Sequence, residues 1–282
     1  MLYGILYLWF VLVLLSLIFI AYDMQKNTPV VGVMKLAWLL VTIYTGPFAL
    51  FIYLISCRQP LPNTHNEIIK AHWKQTVGSI LHCLSGDATG IIIGAIIAYA
   101  LSVSNGIDLI IEYIAGFSCG LLLFQAVFML PMLGGNYLIA VKKTFFAEFV
   151  SMNMLMIGMF PVMIILMYFF PEGRQPTSIV FWGIMSVASI VGSLTAYPIN
   201  SWMVRAGIKH GMVTKGGHDN KHSDEQIDHH EYNHPNSHTN LESHSNHITL
   251  RKQILVSVIT FMVMVLTVYC VSLFIPISFS LR

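Results

Sequence analysis

The sequence predicts an all-α fold, a polytopic transmembrane helical bundle of about seven spans with one disordered, histidine-rich loop. Three observations predict it. Of 282 residues, 56% are hydrophobic and only 10% charged, with a mean hydropathy of +0.70, whereas a soluble domain is about a quarter charged. The apolar runs recur at the ~20-residue length a helix needs to cross roughly 30 Å of hydrocarbon. The polar residues are gathered instead into one segment after Gly207.

The runs lie at about residues 2–21, 33–56, 78–103, 107–130, 145–170, 178–199 and 254–275. No Lys or Arg precedes the first, and no small-x-small cleavage site follows it in FIAYDMQ, so it reads as a retained span and not a signal peptide. The third run is rich in glycine, and the fourth, after Ser104-Asn105-Gly106, carries Asp108 and Glu112 near its start. Either could be broken or re-entrant, which would move the count by one. Arg58, Lys70, Lys74, Lys142, Lys143 and the basic residues from Arg205 to Lys252 gather in alternate connections, whereas Lys26, Lys35, Arg174 and Arg282 lie in the others. This bias predicts a cytoplasmic N-terminus and an external C-terminus. The chain then divides into a membrane domain of about six helices over 1–209, a cytoplasmic loop over 210–250, and a last transmembrane helix with a short tail over 251–282.

Cys57, Cys83, Cys119 and Cys270 are scattered with no CxxC pair, which suggests neither a disulfide framework nor a zinc knuckle. The stretch from His210 to His247 holds nine of the 12 histidines and almost no apolar residue, so it cannot bury enough surface to offset its ordering entropy. Imidazole suits Zn, Cu, Ni and Fe(II), and the carboxylates among the histidines add oxygen donors. His218 with His222, and His230 with His234 and His238, are spaced to share a face if a helix forms around a metal, with His229 adjacent. The competing reading is a hydrophilic tether.

In the third run a small residue or His82 stands at every fourth position, Gly78, His82, Gly86, Gly90, Gly94 and Ala98. Steps of four turn through about 400°, so the small residues form a groove that lets another helix approach. His82, Cys83 and Asp87 are costly at this depth and usually face a cavity, a partner or an ion path. The alternative for His82 is an interfacial histidine with a hydrogen-bond partner. In the fifth run Glu148 heads a stripe of Met152, Met156, Met159, Met163 and Met167. Thioether sulfur favours soft cations, but methionine is also an adaptable packing residue. Polar groups that lipid cannot satisfy need partners, so at least one of His82, Cys83 and Asp87 is expected to touch Glu148 in a polar cavity nearer the cytoplasmic face. Tyr197, Trp202 and Arg205 read as an aromatic belt and basic anchor, with Pro198 as a bend or port.

The H-C-x-x-G motif of His82, Cys83 and Gly86, the Ala147, Glu148 and Ser151 pattern, and the run TAYPINSWMVRAGIK resemble an uncharacterised bacterial multi-pass membrane family, a domain-of-unknown-function group. Its members carry T-H-C-x-x-G-C and S-Y-P-V-N-W-W-L-I at the corresponding places, and the similarity covers roughly residues 30–212. Asp87 stands where the family has its second cysteine, and Glu148 where it has an aspartate. A CxxGC thiol pair is therefore absent here. The resemblance implies a membrane architecture and a bacterial inner (plasma) membrane location, and no activity.

These features together predict a transporter or permease-like protein for a transition-metal cation (Zn, Cu, Ni or Fe), with the loop as a metal reservoir. The expected intramembrane ligands are His82, Cys83, Asp87, Glu148 and Met152, and the expected loop ligands His218, His222, His229, His230, His234 and His238. The alternatives are a metal-dependent membrane enzyme and a non-catalytic assembly or accessory subunit. No HExxH, G-x-S-x-G or P-loop occurs, which counts against an enzyme and against drive by ATP. Ion movement would then be passive or coupled to protons on Asp87 or Glu148. The expected partners are the lipid bilayer and metal ions, with homo-oligomerisation open and no nucleic acid.

Overall fold

The computed structural model describes residues 1–28, 30–59, 69–130, 135–209, 211 and 249–279. They form α1 (Leu2–Lys26), α2 (Gly32–Thr45), α3 (Pro47–Ser56), α4 (His72–Ala100), α5 (Asn105–Met129), α6 (Tyr137–Phe169), α7 (Ile179–Arg205) and α8 (Leu250–Ser272), with no strand among the described residues. The architecture is the expected all-α polytopic bundle. Six of these helices, all but α2 and α3, are long and apolar enough to cross a membrane.

The departure lies in the second apolar run. It is not one span but two helices of 14 and 10 residues, parted at Gly46 and Pro47. Gly46 has φ +52°, which an L side chain rarely adopts, and Pro47 opens α3 with a φ already set for a helix. The two helices fold back on each other, since the Trp38 and Tyr53 rings meet edge to face at 5.1 Å, seven or eight residues either side of the turn. A Cβ on Gly46 would stand 2.5 Å from Val13 Cγ2, midway along α1, so the turn sits at mid-bundle depth. Tyr44 beside the turn bonds Thr89 at 2.7 Å. At the open end Asp23 of α1 accepts from Tyr53 (2.6 Å), Asn27 (2.9 Å) and Arg58 (3.2 Å). The pair is a re-entrant hairpin that enters and leaves on one face. Irregular backbone at such depth is tolerated where protein surrounds it, and here α1, α4 and α7 do.

With six long helices and the α2–α3 pair folding back on itself, both ends of the described chain lie on one face of the bundle, whereas seven spans would have separated them. Tyr3 hydrogen-bonds Glu172, and Trp9 donates to Ser186 at 3.3 Å, so α1 runs beside α7 in the same direction. At that same face the Gly106 N–H donates to Ser278 O at 2.8 Å, bringing the segment after α8 to the start of α5. The expected placement of the termini on opposite faces is corrected accordingly. Gly46-Pro47 makes a turn in a run whose length alone reads as a span.

Neither the third nor the fourth run is broken. Helix α4 is continuous over 29 residues, and α5 carries a π-helical segment at Cys119–Gln125. The glycines of α4 meet α5 backbone to backbone. A Cβ on Gly86 would stand 2.6 Å from Gly120 Cα, one on Gly90 2.6 Å from Gly116 Cα, and one on Gly94 2.8 Å from Glu112 Cα. This is small-residue packing in a setting where lipid supplies no hydrophobic drive between helices. Met152, Met156, Met159 and Met163 fill the core between the helices.

Candidate functional site: a buried lysine, thiol and carboxylate cluster

Five parts of the chain converge about three helical turns inside the face from which α4 and α6 start. Helix α4 supplies Cys83 and Asp87, the π-helical segment of α5 supplies Gly120 and Gln125, α6 supplies Glu148 and Ser151, and α7 supplies Asn200. The fifth contribution is Lys209, from beyond the end of α7. All these side chains are buried.

Cys83 is the hub. Its thiol donates to Glu148 Oε2 at 3.1 Å, and its sulfur accepts from Gln125 Nε2 (3.2 Å), Ser151 Oγ (3.4 Å) and Lys209 Nζ. The Lys209 ammonium also donates to Asn200 Oδ1 at 3.1 Å and lies 3.6 Å from Glu148 Oε2. Asn200 is fixed in turn, donating to Ser151 Oγ (2.8 Å) and Ala196 O (2.9 Å) and accepting from Ser79 Oγ (3.2 Å). Three donors, one of them an ammonium, thus converge on one sulfur.

Lys209 arrives there through the C-terminus of α7. Gly207 (φ +69°) follows the cap Ala206, the Gly207 N–H bonds Val204 O at 3.2 Å, and the Ile208 N–H bonds Met203 O at 2.9 Å. These are the two bonds of a Schellman motif, completed by the apolar contact of Ile208 with Met203, Ala147 and Val150. The chain is thereby turned back into the bundle, and Lys209 ends 6% exposed. Burial alone would lower the affinity of Lys209 for its proton. The Cys83 sulfur that accepts its hydrogen bond and the Glu148 carboxylate beside it outweigh this and hold the group above its ordinary range.

Asp87 and the second oxygen of Glu148 are the unsatisfied part. Neither Asp87 oxygen nor Glu148 Oε1 has a hydrogen-bond partner. Both carboxyls face Gly120, where a Cβ would overlap Asp87 Oδ1 and stand 2.5 Å from Glu148 Oε1. With one ammonium for two carboxyl groups, the cluster is neutral when a proton sits on one of them and the thiol is intact.

The structure thus brings together Cys83 and Glu148, with Asp87 at their edge. His82 is not part of the set. About 100° round the helix from Cys83, its ring lies on Phe128 at 3.9 Å, and neither nitrogen has a partner. Met152 is fully buried in the apolar core, close to Gly116. Loop residues His218, His222, His229, His230, His234 and His238 lie outside the described residues. Among the described residues no three His, Cys, Asp or Glu side chains converge as a metal site. Lys209, Asn200 and Gln125 carry no sequence signal as strong as an acid inside an apolar run. The one available for Lys209 is Ala-Gly-Ile-Lys after a helix, a glycine C-cap with its apolar staple.

Residues 72–209 match a family model described as Domain of unknown function (DUF4396). The match begins on the first residue of α4 and ends on Lys209, so it takes in every member of the cluster. No curated protein and no solved structure matches the chain.

Proposed function

We propose that this chain, which carries a domain of unknown function over residues 72–209, is a permease-like cation transporter whose intramembrane station centres on the Cys83 and Glu148 pair that holds Lys209, with Asp87 beside it. The observation that carries the reading is the Lys209 ammonium, a positive charge held at buried depth by Cys83, Glu148 and Asn200. A cluster that holds a tethered cation has the charge and acceptor atoms to hold a free one once the lysine withdraws. The Cys83 sulfur favours a transition-metal ion over Mg or Ca. A divalent ion would replace the lysine charge and the carboxyl proton together, which leaves the cluster neutral and couples entry to proton release. The re-entrant hairpin is a device tolerated only where protein or a water-filled path surrounds it, which agrees with a transport role. The loop histidines would gather the ion outside this station.

The basic residues support an orientation. Every described Lys and Arg except Arg174 and the buried Lys209 lies towards the face from which α4, α6 and α8 start, and the positive-inside rule favours that face as the cytoplasmic one. In a bacterial inner membrane this keeps the connection between α7 and α8 on the cytoplasmic side and puts the N-terminus outside, the reverse of the expectation from seven spans.

The test is zinc(II) binding to the purified full-length protein, with proton release recorded alongside, for the parent, Cys83→Ser and Glu148→Gln. A tight site that releases protons on binding and vanishes in both variants, above the weaker background of the loop, is the expected result. Equal binding in all three would end the transition-metal reading.

A further inference from the structure

On the face opposite Lys209 a second set of charged groups surrounds a cavity of about 390 Å³. It opens between the ends of α4 and α5, the Pro171–Arg174 turn and Ser278. Asp108 and Glu112, one turn apart on α5, both line it. Glu112 is 1% exposed, and its Oε2 has no partner, nor has Asp108 Oδ1. Arg174 stands at the rim, donates to Asn105 Oδ1 at 2.6 Å and offsets part of the Asp108 charge, while Glu112 deeper in has no such counter-charge among the described residues. A carboxyl group at this depth needs a proton or a cation, and the cavity gives it water to receive one from. At about 30 Å³ per water there is room for roughly a dozen waters, and so for an ion that keeps most of its hydration shell.

Glu112 and Gly120 stand two turns apart on α5, about 12 Å, at the two ends of the glycine contact with α4. A Cβ on the intervening Gly116 would stand 2.7 Å from Met152 Cε, 2.9 Å from Ile91 Cγ1 and 3.2 Å from the Asp87 backbone oxygen. The side chains that meet α5 between the cavity and the Asp87 and Glu148 carboxyls are therefore apolar.

We propose that Asp108 and Glu112 form a second cation site, open to the face from which α5 and α7 start, which takes a small hydrated divalent ion through oxygen ligands. In the permease reading this is the outer station of the same route, with Ile91 and Met152 between the stations. Only its place in the route rests on that reading, because the site itself is built from the cavity and the unpartnered carboxyls.

The test uses the full-length chain with Cys270→Ser and Ala95→Cys, which puts a thiol on the cavity wall beside Gly94. Reaction with an impermeant cationic methanethiosulfonate is compared with that of its anionic counterpart, in proteoliposomes with and without manganese(II). The cationic reagent should react at least ~10-fold faster, as expected where carboxylates focus the field in a cleft. Manganese(II) should slow it, and Glu112→Gln should abolish both the preference and the protection. Asp108→Asn, nearer the mouth, should weaken both. No reaction, equal rates for the two reagents, or protection that survives Glu112→Gln would overturn the proposal. Zinc binding at Cys83 in the same preparations reports separately on the inner cluster, so the two ideas fail independently.

Discussion

Lys209 sets the charge of the inner cluster, and its position depends on one glycine. Replacing Lys209 by Met removes the tethered competitor and leaves the carboxyls to an incoming ion. Zinc should then bind at least ~10-fold more tightly, a gain of about 1.4 kcal/mol, as titration of the purified protein will show. Gly207→Ala forces an L residue into the left-handed region at a cost of roughly 1–2 kcal/mol, which should loosen the Lys209 contact and shift zinc affinity in the same direction. Gly120→Ala acts from the other side. Its methyl would meet Asp87 and Glu148 at once, so it should destabilise the fold by ~1–3 kcal/mol and abolish zinc binding, read by thermal unfolding in detergent and titration. The sequence discloses Cys83, Asp87 and Glu148 because an ionisable group within an apolar run stands out. It hides Lys209, because a lysine just past a helix reads as an anchor until the cap that turns it inward is recognised. His82 lies outside that cluster, because adjacency in sequence places a residue on a different helical face from its neighbour.

At the scale of elements, the positions of the long helices are legible in hydropathy, and the glycine period of α4 announces the close contact with α5. The hairpin is not legible by the same means. Residues 33–56 have the length and apolarity of a span, and what divides them is a Gly-Pro step whose effect depends on Val13 of a different helix. Gly46→Ala should therefore cost ~1–3 kcal/mol, through both its backbone and its clash with the Val13 side chain. Removing the clash with Val13→Ala should restore only the steric share and leave the backbone strain, so the double mutant should recover part of the lost stability. Full recovery, or none, would show that one of the two causes is absent. The π-helical segment of α5 is likewise hidden. Its sequence, CGLLLFQ, has no helix breaker but its one glycine, and it is the place where Gln125 and Gly120 serve the cluster.

For the whole molecule, the hairpin decides which side of the membrane each end occupies. A seventh crossing would leave the termini on opposite faces, whereas a re-entrant pair leaves them together and puts almost every described basic residue on the other face. The charge bias is sharper on this topology than on the seven-span one, since Lys26 and Lys35 move to the basic side at the mouth of the hairpin. Three probes separate the possibilities: a cysteine at Thr249 on the basic face, a cysteine at Gln175 on the opposite face, and a small epitope before Met1. In intact cells Gln175→Cys should react with an impermeant thiol reagent and the epitope should bind antibody, while Thr249→Cys reacts only in inverted vesicles. A shielded epitope beside a reactive Gln175→Cys would mean that residues 32–56 cross the membrane after all. Reversal of all three would keep the hairpin and invert the protein, which would place the Lys209 cluster nearer the outside and its proton release on the external face.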